Sequence, residues 1–180
     1  MNHQNSKEIS DIKIIDINRH KDSRGYLYES YRKKSFLKKI DFCQDNIVKS
    51  NYACLRGLHY QPEPYAQSKL ITIIEGEIQD VVVDIRLSSK TFGKYFSIVL
   101  SENDPRQLFI PKGFAHGFLT LTKYSIVHYK VDNFYKPDKQ FGIAYNDNIL
   151  GINWKINQKT IIISDKDKRN PFFKDAKYFD

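Results

Sequence analysis

Residues 70–86, LITIIEGEIQDVVVDIR, decide the fold. Their β-branched residues form two runs, 70–74 and 78–85. The Glu75-Gly76-Glu77 between them has the composition of a tight turn, so the stretch reads as a hairpin. Within the second run Val81, Val83 and Ile85 share one face, and Val82, Asp84 and Arg86 the other. That alternation predicts one face more deeply buried than its opposite.

Downstream, residues 95–100, 108–110, 115–121 and 124–131 are further short strands, with turns at 88–93 and 102–105. Upstream, residues 12–17 read as a first strand and Asp22-Ser23-Arg24-Gly25 as a tight turn. Residues 26–31 alternate Tyr26, Tyr28 and Ser30 against Leu27, Glu29 and Tyr31, and 41–50 are extended. Residues 34–40 fit only a short helix, with Phe36, Leu37 and Ile40 as its apolar side. Towards the C-terminus, 141–147 read as a strand running into a loop, Trp154 as a core or interface anchor and 161–163 as a short apolar run. A charged tail begins at Ser164, and Pro171 keeps it from being a long helix. Strands about ten residues apart, with Gly and Pro punctuation and little helical periodicity, predict an all-β antiparallel sandwich or small barrel with short peripheral helices. They argue against a βαβ fold.

At 180 residues the chain is expected to form a single domain over 1–180, with the first ten or eleven residues fraying. Twelve Tyr and twelve Phe suit a pocket or interface that is apolar yet offers hydroxyls. The net charge of +8 favours anionic ligands, but the basic residues form no stripe and no nucleic-acid reader motif. Cys43 and Cys54 read as reduced thiols of a cytoplasmic protein, and no apolar run reaches the roughly 20 residues a membrane helix needs.

The chemistry concentrates in 54–70, CLRGLHYQPEPYAQSKL, where Arg56, His59 and Lys69 surround a Gly57 turn. His59 and a second strand-borne histidine, His116, are structural or catalytic on this reading; opposite walls of a barrel can send both into one cavity. Imidazole suits a general base, Tyr holds or donates a proton, and a Lys near a carbonyl oxygen stabilises an enolate. The set suits proton abstraction beside a ketone. A metal is disfavoured, because His59 and His116 lack a His-x-His partner or a nearby Glu. Gln44 and Asn46, two apart, are either ligand contacts or amides tied to loop backbone. Arg24 and Arg56, each beside a Gly, are either phosphate forks or surface ion pairs.

The ordered motifs DSRGYLYESY, QDNIVKS, LRGLHYQ, QSKL, GEIQDVVVDIR, TFGKY, LFIPKGFAHGF, YKVDNFYKP, YND and SDKD, spanning Asp22 to Pro171, resemble the dTDP-4-dehydrorhamnose 3,5-epimerase family. The resemblance implies a cupin-like jelly roll, a homodimer without metal or organic cofactor, and an isomerase acting on a dTDP-linked 4-keto-6-deoxy sugar. It implies His59 as the base at C3 and C5, Asp167 as its orienter, Lys69 as the enolate stabiliser and Tyr129 as the acid on the opposite sugar face. It also implies Arg56 as the diphosphate clamp, His116 and Tyr135 as pocket residues, and Gln44 and Asn46 as pocket wall. Arg24, Tyr26 and Glu29 would be contributed by the partner subunit. Ser68, Gln140, Tyr26 and Tyr145 stand where the family commonly has Gly, Glu, Phe and Trp. A monofunctional C3 or C5 epimerase, a sugar 3,4-ketoisomerase and a non-catalytic sugar-nucleotide-binding jelly roll are the alternatives.

Overall fold

The structure is a computed structural model and describes residues 3–5, 9–33, 37 and 39–180. Two antiparallel sheets face each other. The first has the order β1 (His3–Asn5), β2 (Lys13–Asp16), β10 (Arg106–Ile110), β7 (Lys69–Glu75), β12 (Tyr124–Val131), β5 (Gln44–Asn51). The second runs β13 (Phe141–Gly142), β6 (Leu55–Tyr60), β11 (Phe114–Thr120), β8 (Glu77–Asp84), β9 (Tyr95–Ser101). A separate hairpin joins β3 (His20–Asp22) to β4 (Gly25–Leu27), and one short helix, α1 (Asp165–Lys168), follows the strands.

The layer between the sheets is packed by Ile71 and Ile73 of β7, Ile78 and Val82 of β8, Phe118 of β11 and Val127 of β12. A second cluster lies on the outer face of the β6-β11-β8 sheet. There Val81, Val83 and Ile85 are covered by Leu150, Ile152, Trp154 and Phe173. Strand β8 is therefore buried on both faces, not mainly on one as its alternation predicts, because the C-terminal segment folds back over the side that a simple sandwich leaves wet. Trp154 is an anchor in that cover, and its indole Nε1 donates to the Tyr145 carbonyl at 2.9 Å.

The Glu75-Gly76-Glu77 turn is not a hairpin. Strand β7 pairs with β10 and β12, β8 pairs with β11 and β9, and Gly76 is the corner at which the chain changes sheets. Its φ is +79°, and a Cβ there would lie 2.2 Å from the Tyr124 carbonyl oxygen, so the corner requires glycine. A corner and a hairpin ask for the same turn chemistry, and the next pairing partner decides between them.

Three further expectations change. The strand expected over 26–31 ends at Leu27, where β4 loses its only partner. The strand expected over 141–147 shortens to the two residues of β13. Most of the helix expected over 34–40 lies outside the described residues. The N-terminal residues expected to fray are partly held: β1 pairs with β2, and Ile9 enters the inter-sheet core.

Candidate active site

Strand β6 builds one wall of a cavity of about 600 Å³ between the sheets. Strict alternation would send Arg56 and His59, three apart, to opposite faces. The β6–β11 ladder instead shifts register: His116 pairs with His59 but Phe118 with Arg56, so Gly57 and Leu58 oppose Gly117 alone. This bulge turns both Arg56 and His59 into the cavity. Gly57 sits at φ +129°, and a Cβ on it would meet the Gly117 Cα at 2.5 Å. Replacing Gly57 by Ala is expected to destabilise the fold by about 3 kcal/mol and to lower Tm by roughly 6–12 °C in a melting experiment. An unchanged Tm would show that the bulge does not need this close approach.

His59 Nε2 lies 2.6 Å from Asp167 Oδ1. Asp167 is buried in α1, where its backbone N–H donates to the N-cap Ser164 Oγ at 3.1 Å. Burial pushes the Asp167 carboxyl up, but hydrogen bonds from His59, the Gly57 N–H and Ser164 outweigh it and hold the carboxyl below its usual range. A carboxylate on Nε2 fixes that nitrogen as the protonated one and leaves Nδ1 as the basic nitrogen of the ring.

The facing wall belongs to the other sheet. Tyr129 of β12 is in register with Asn46 of β5 and Ile71 of β7, while Val131 is in register with Lys69. Burial raises the Tyr129 pKa, with Arg56 opposing, so the phenol stays protonated at neutral pH. Burial pulls the Lys69 ammonium down to about 8 from the ordinary 10.5, with Asp80 opposing. Gln44 lines the cavity and is tied to loop backbone: it accepts from the Tyr135 N–H at 3.1 Å, and it donates to Asn46 Oδ1 at 2.8 Å. Arg56 is pinned by Ser50 Oγ at 2.8 Å and the Lys49 carbonyl at 3.3 Å, which holds its fork at the cavity edge.

His59, Tyr129, Asp167, Lys69, Gln44, Asn46, Arg56, His116 and Tyr135 thus all line one cavity. Arg24, Tyr26 and Glu29 do not. Arg24 pairs with Asp22 at 2.6 Å, Tyr26 is 53% exposed beneath the Arg19 guanidinium at 4.7 Å, and Glu29 pairs with Arg32. Sequence reasoning assigned no role to Gln67 or Lys166, which also line the cavity, as does Gln140, noted only as standing where the family commonly has Glu. Lys166 lies beside Asp167 in SDKD and donates to Gln140 Oε1 at 2.5 Å; Tyr135 donates to the same oxygen at 3.1 Å. Asp80 was likewise unassigned, and it accepts from His116 Nε2 at 2.9 and 3.0 Å. Among the described residues no three His, Cys, Asp or Glu side chains gather as a metal site requires, and no helix is long and apolar enough to cross a membrane.

A base held by a buried carboxylate on one sheet, with a protonated phenol and a destabilised ammonium on the other, can move protons on both faces of a flat substrate between them. The sequence profile of dTDP-4-dehydrorhamnose 3,5-epimerase matches residues 6–175. A protein of that name from Shigella flexneri is 45% identical over 176 residues, 96% of each chain. The crystal structure of dTDP-4-dehydrorhamnose 3,5-epimerase from Elizabethkingia anophelis is 42% identical, with a TM-score of 0.92 over 99% of both chains. A dTDP-6-deoxy-D-glucose-3,5-epimerase from Legionella pneumophila, solved in complex with dTDP-4-keto-L-rhamnose, is 39% identical. Its TM-score is 0.90, over 95% of this chain and 92% of that one.

Proposed function

The chain belongs to the dTDP-4-dehydrorhamnose 3,5-epimerase family, and on that premise we propose that it inverts C3 and C5 of a dTDP-linked 4-keto-6-deoxy sugar through enolate intermediates. The observation that carries this reading is the placement of His59 and Tyr129 on facing sheets across one cavity that also holds Lys69.

Both reacting carbons are adjacent to the C4 ketone, so each C–H is acidified by the carbonyl. His59 Nδ1 takes the proton, and the electron pair of the broken C–H bond moves into an enolate with its charge on O4. The Lys69 ammonium meets that charge in a site with little water, where a fixed cation is worth most. Tyr129 delivers its hydroxyl proton to the same carbon from the opposite face, forming a new C–H bond of inverted configuration. The phenolate regains a proton and His59 loses one to solvent, so each inversion carries one solvent hydrogen into the sugar. Repeating the cycle at the second carbon completes the reaction with no redox change.

Arg56 is the diphosphate clamp in this reading, with Gln44, Asn46, His116 and Tyr135 shaping the pocket around sugar and nucleotide. The exposed Arg24, Tyr26 and Glu29 reach the base-binding end of the cavity of a second copy in a homodimer, which explains their absence from their own cavity. Cys43 and Cys54 are free thiols, in keeping with a cytoplasmic enzyme.

Proton NMR in deuterated water, with dTDP-4-keto-6-deoxyglucose and the purified protein, follows the C3 and C5 signals separately. Loss of both signals with formation of the doubly inverted keto sugar is expected. Exchange at one carbon would replace the reading with a single epimerisation, and a silent spectrum from folded protein would overturn it.

A further inference from the structure

Behind His116 lies an acid that this mechanism leaves without a task. Asp80 has 0% exposure and does not line the cavity; it sits behind His116, which is itself 7% exposed. Strand β7 turns Lys69, Ile71 and Ile73 inward, and β8 turns Ile78, Asp80 and Val82 inward. The four apolar members of these two rows share the inter-sheet core. Alternation therefore sets Lys69 and Asp80 in one layer, on facing sheets.

We propose that Asp80 is a positioning residue for the epimerisation: its sealed carboxylate is the counter-charge that holds Lys69 as an ammonium in the floor of the pocket, while it orients His116. The inference rests on the epimerase reading of that pocket. Burying a carboxylate beside a histidine need not leave any charge over, because an imidazolium would cancel it. Here burial drives the His116 pKa down, with Asp80 opposing, so the ring is neutral and donates from Nε2 without cancelling the acid. The negative charge remains to serve Lys69, where Asp80 opposes the burial that pulls the ammonium down.

The other charged or titratable groups lining the cavity are Cys54, Arg56 and His59, Tyr129, Tyr135, and Lys166 and Asp167; outside it, Asp132 accepts from the Ser68 N–H at 2.6 Å, next to Lys69. Asp167 is already engaged by His59, and Arg56 and Lys166 are cations. Among the carboxylates near Lys69, Asp80 is the one that counteracts its burial.

The sign of the pH effect follows. Lys69 titrates at about 8 in the folded chain, below its ordinary 10.5, so the unfolded chain binds the extra proton between those values. Stability rises with pH across that window. Activity that needs the ammonium moves oppositely and is lost as pH rises through about 8. Asp80→Asn keeps the shape, removes the counter-charge and extends both effects to lower pH.

Carbon-13 NMR of the Lys69 Cε in the full chain, assigned by its loss in Lys69→Met, reads the titration directly. In Asp80→Asn the midpoint is expected to fall by about one unit or more. The alkaline limb of kcat/KM should fall with it, so that activity at pH 8 drops about fivefold or more while the loss shrinks at pH 6. An unchanged midpoint in folded Asp80→Asn overturns the proposal. Should that variant not fold, the test moves to Asp80→Asn in a Lys69→Met background, where no ammonium needs balancing. Recovery of a folded protein at least as stable as Lys69→Met supports the counter-charge role, and renewed failure to fold makes Asp80 merely structural. The NMR and stability readouts need no turnover, so a protein inactive on the keto sugar would sink the epimerase reading while Asp80 is still judged.

Discussion

Replacing His59 by Ala is expected to lower solvent deuterium incorporation at both C3 and C5 by about 10³-fold or more, within the span a positioned general base supplies. His116 also lines the cavity with a buried carboxylate on its Nε2, but burial weakens it as a base. His116, its partner across the β6–β11 ladder, is tied to Asp80 and held neutral by burial. Tyr129 stays protonated, and Lys69 is charged until about pH 8. The measurement is the rate of disappearance of each proton signal in deuterated water. Retained exchange at the wild-type rate would remove His59 from the role of base. Loss at one carbon alone would mean that two different bases serve C3 and C5.

Replacing Tyr129 by Phe is expected to separate two quantities that fall together in His59→Ala. The phenol stands on the sheet opposite His59, so in the proposed mechanism its hydroxyl serves the sugar face that His59 cannot reach. Without it, His59 still removes a proton and returns a solvent one to the same face. Exchange should therefore persist, while net inversion falls by about 10²-fold or more, in the range of a lost general acid. Comparing deuterium uptake with the yield of inverted sugar distinguishes the steps. Equal losses in both would place Tyr129 in proton removal or substrate binding instead.

Strands whose side chains follow a period of two and whose ends carry Gly or Pro could be read directly from the chain, and β7, β8, β9, β11 and β12 are where that reading put them. What could not be read was which sheet each strand joins. Gly76 looks the same at a hairpin and at a corner, because either needs a positive φ and a close backbone approach. The depth of burial of β8 depended on Leu150, Trp154 and Phe173, residues whose docking leaves no periodic trace in β8 itself. In the site, local spacing pointed to Arg56, His59 and Lys69, but the bulge that lets Arg56 and His59 share a face is a property of the pairing with β11. Asp167 and Tyr129 came only through resemblance to a family. Asp80 lies in a β-branched run where an acid reads as an ordinary outward residue, and only its position behind His116 gives it significance.

The dyad joins residues 108 positions apart, and its acid rides on a four-residue helix secured by one N-cap and by a parallel bridge between Cys54 and Ile162 just upstream. Such a short helix has no stability of its own and exists only once it is docked. During synthesis the strands from β5 to β12 emerge well before Asp167 does. A ribosome-bound chain can thus bring the strands from β5 to β12 together before the segment that carries Ser164, Lys166 and Asp167 closes the cavity. In the proposed mechanism catalytic competence becomes one of the last properties the protein acquires, because it waits for the same C-terminal segment whose Phe173 covers the outer face of β8.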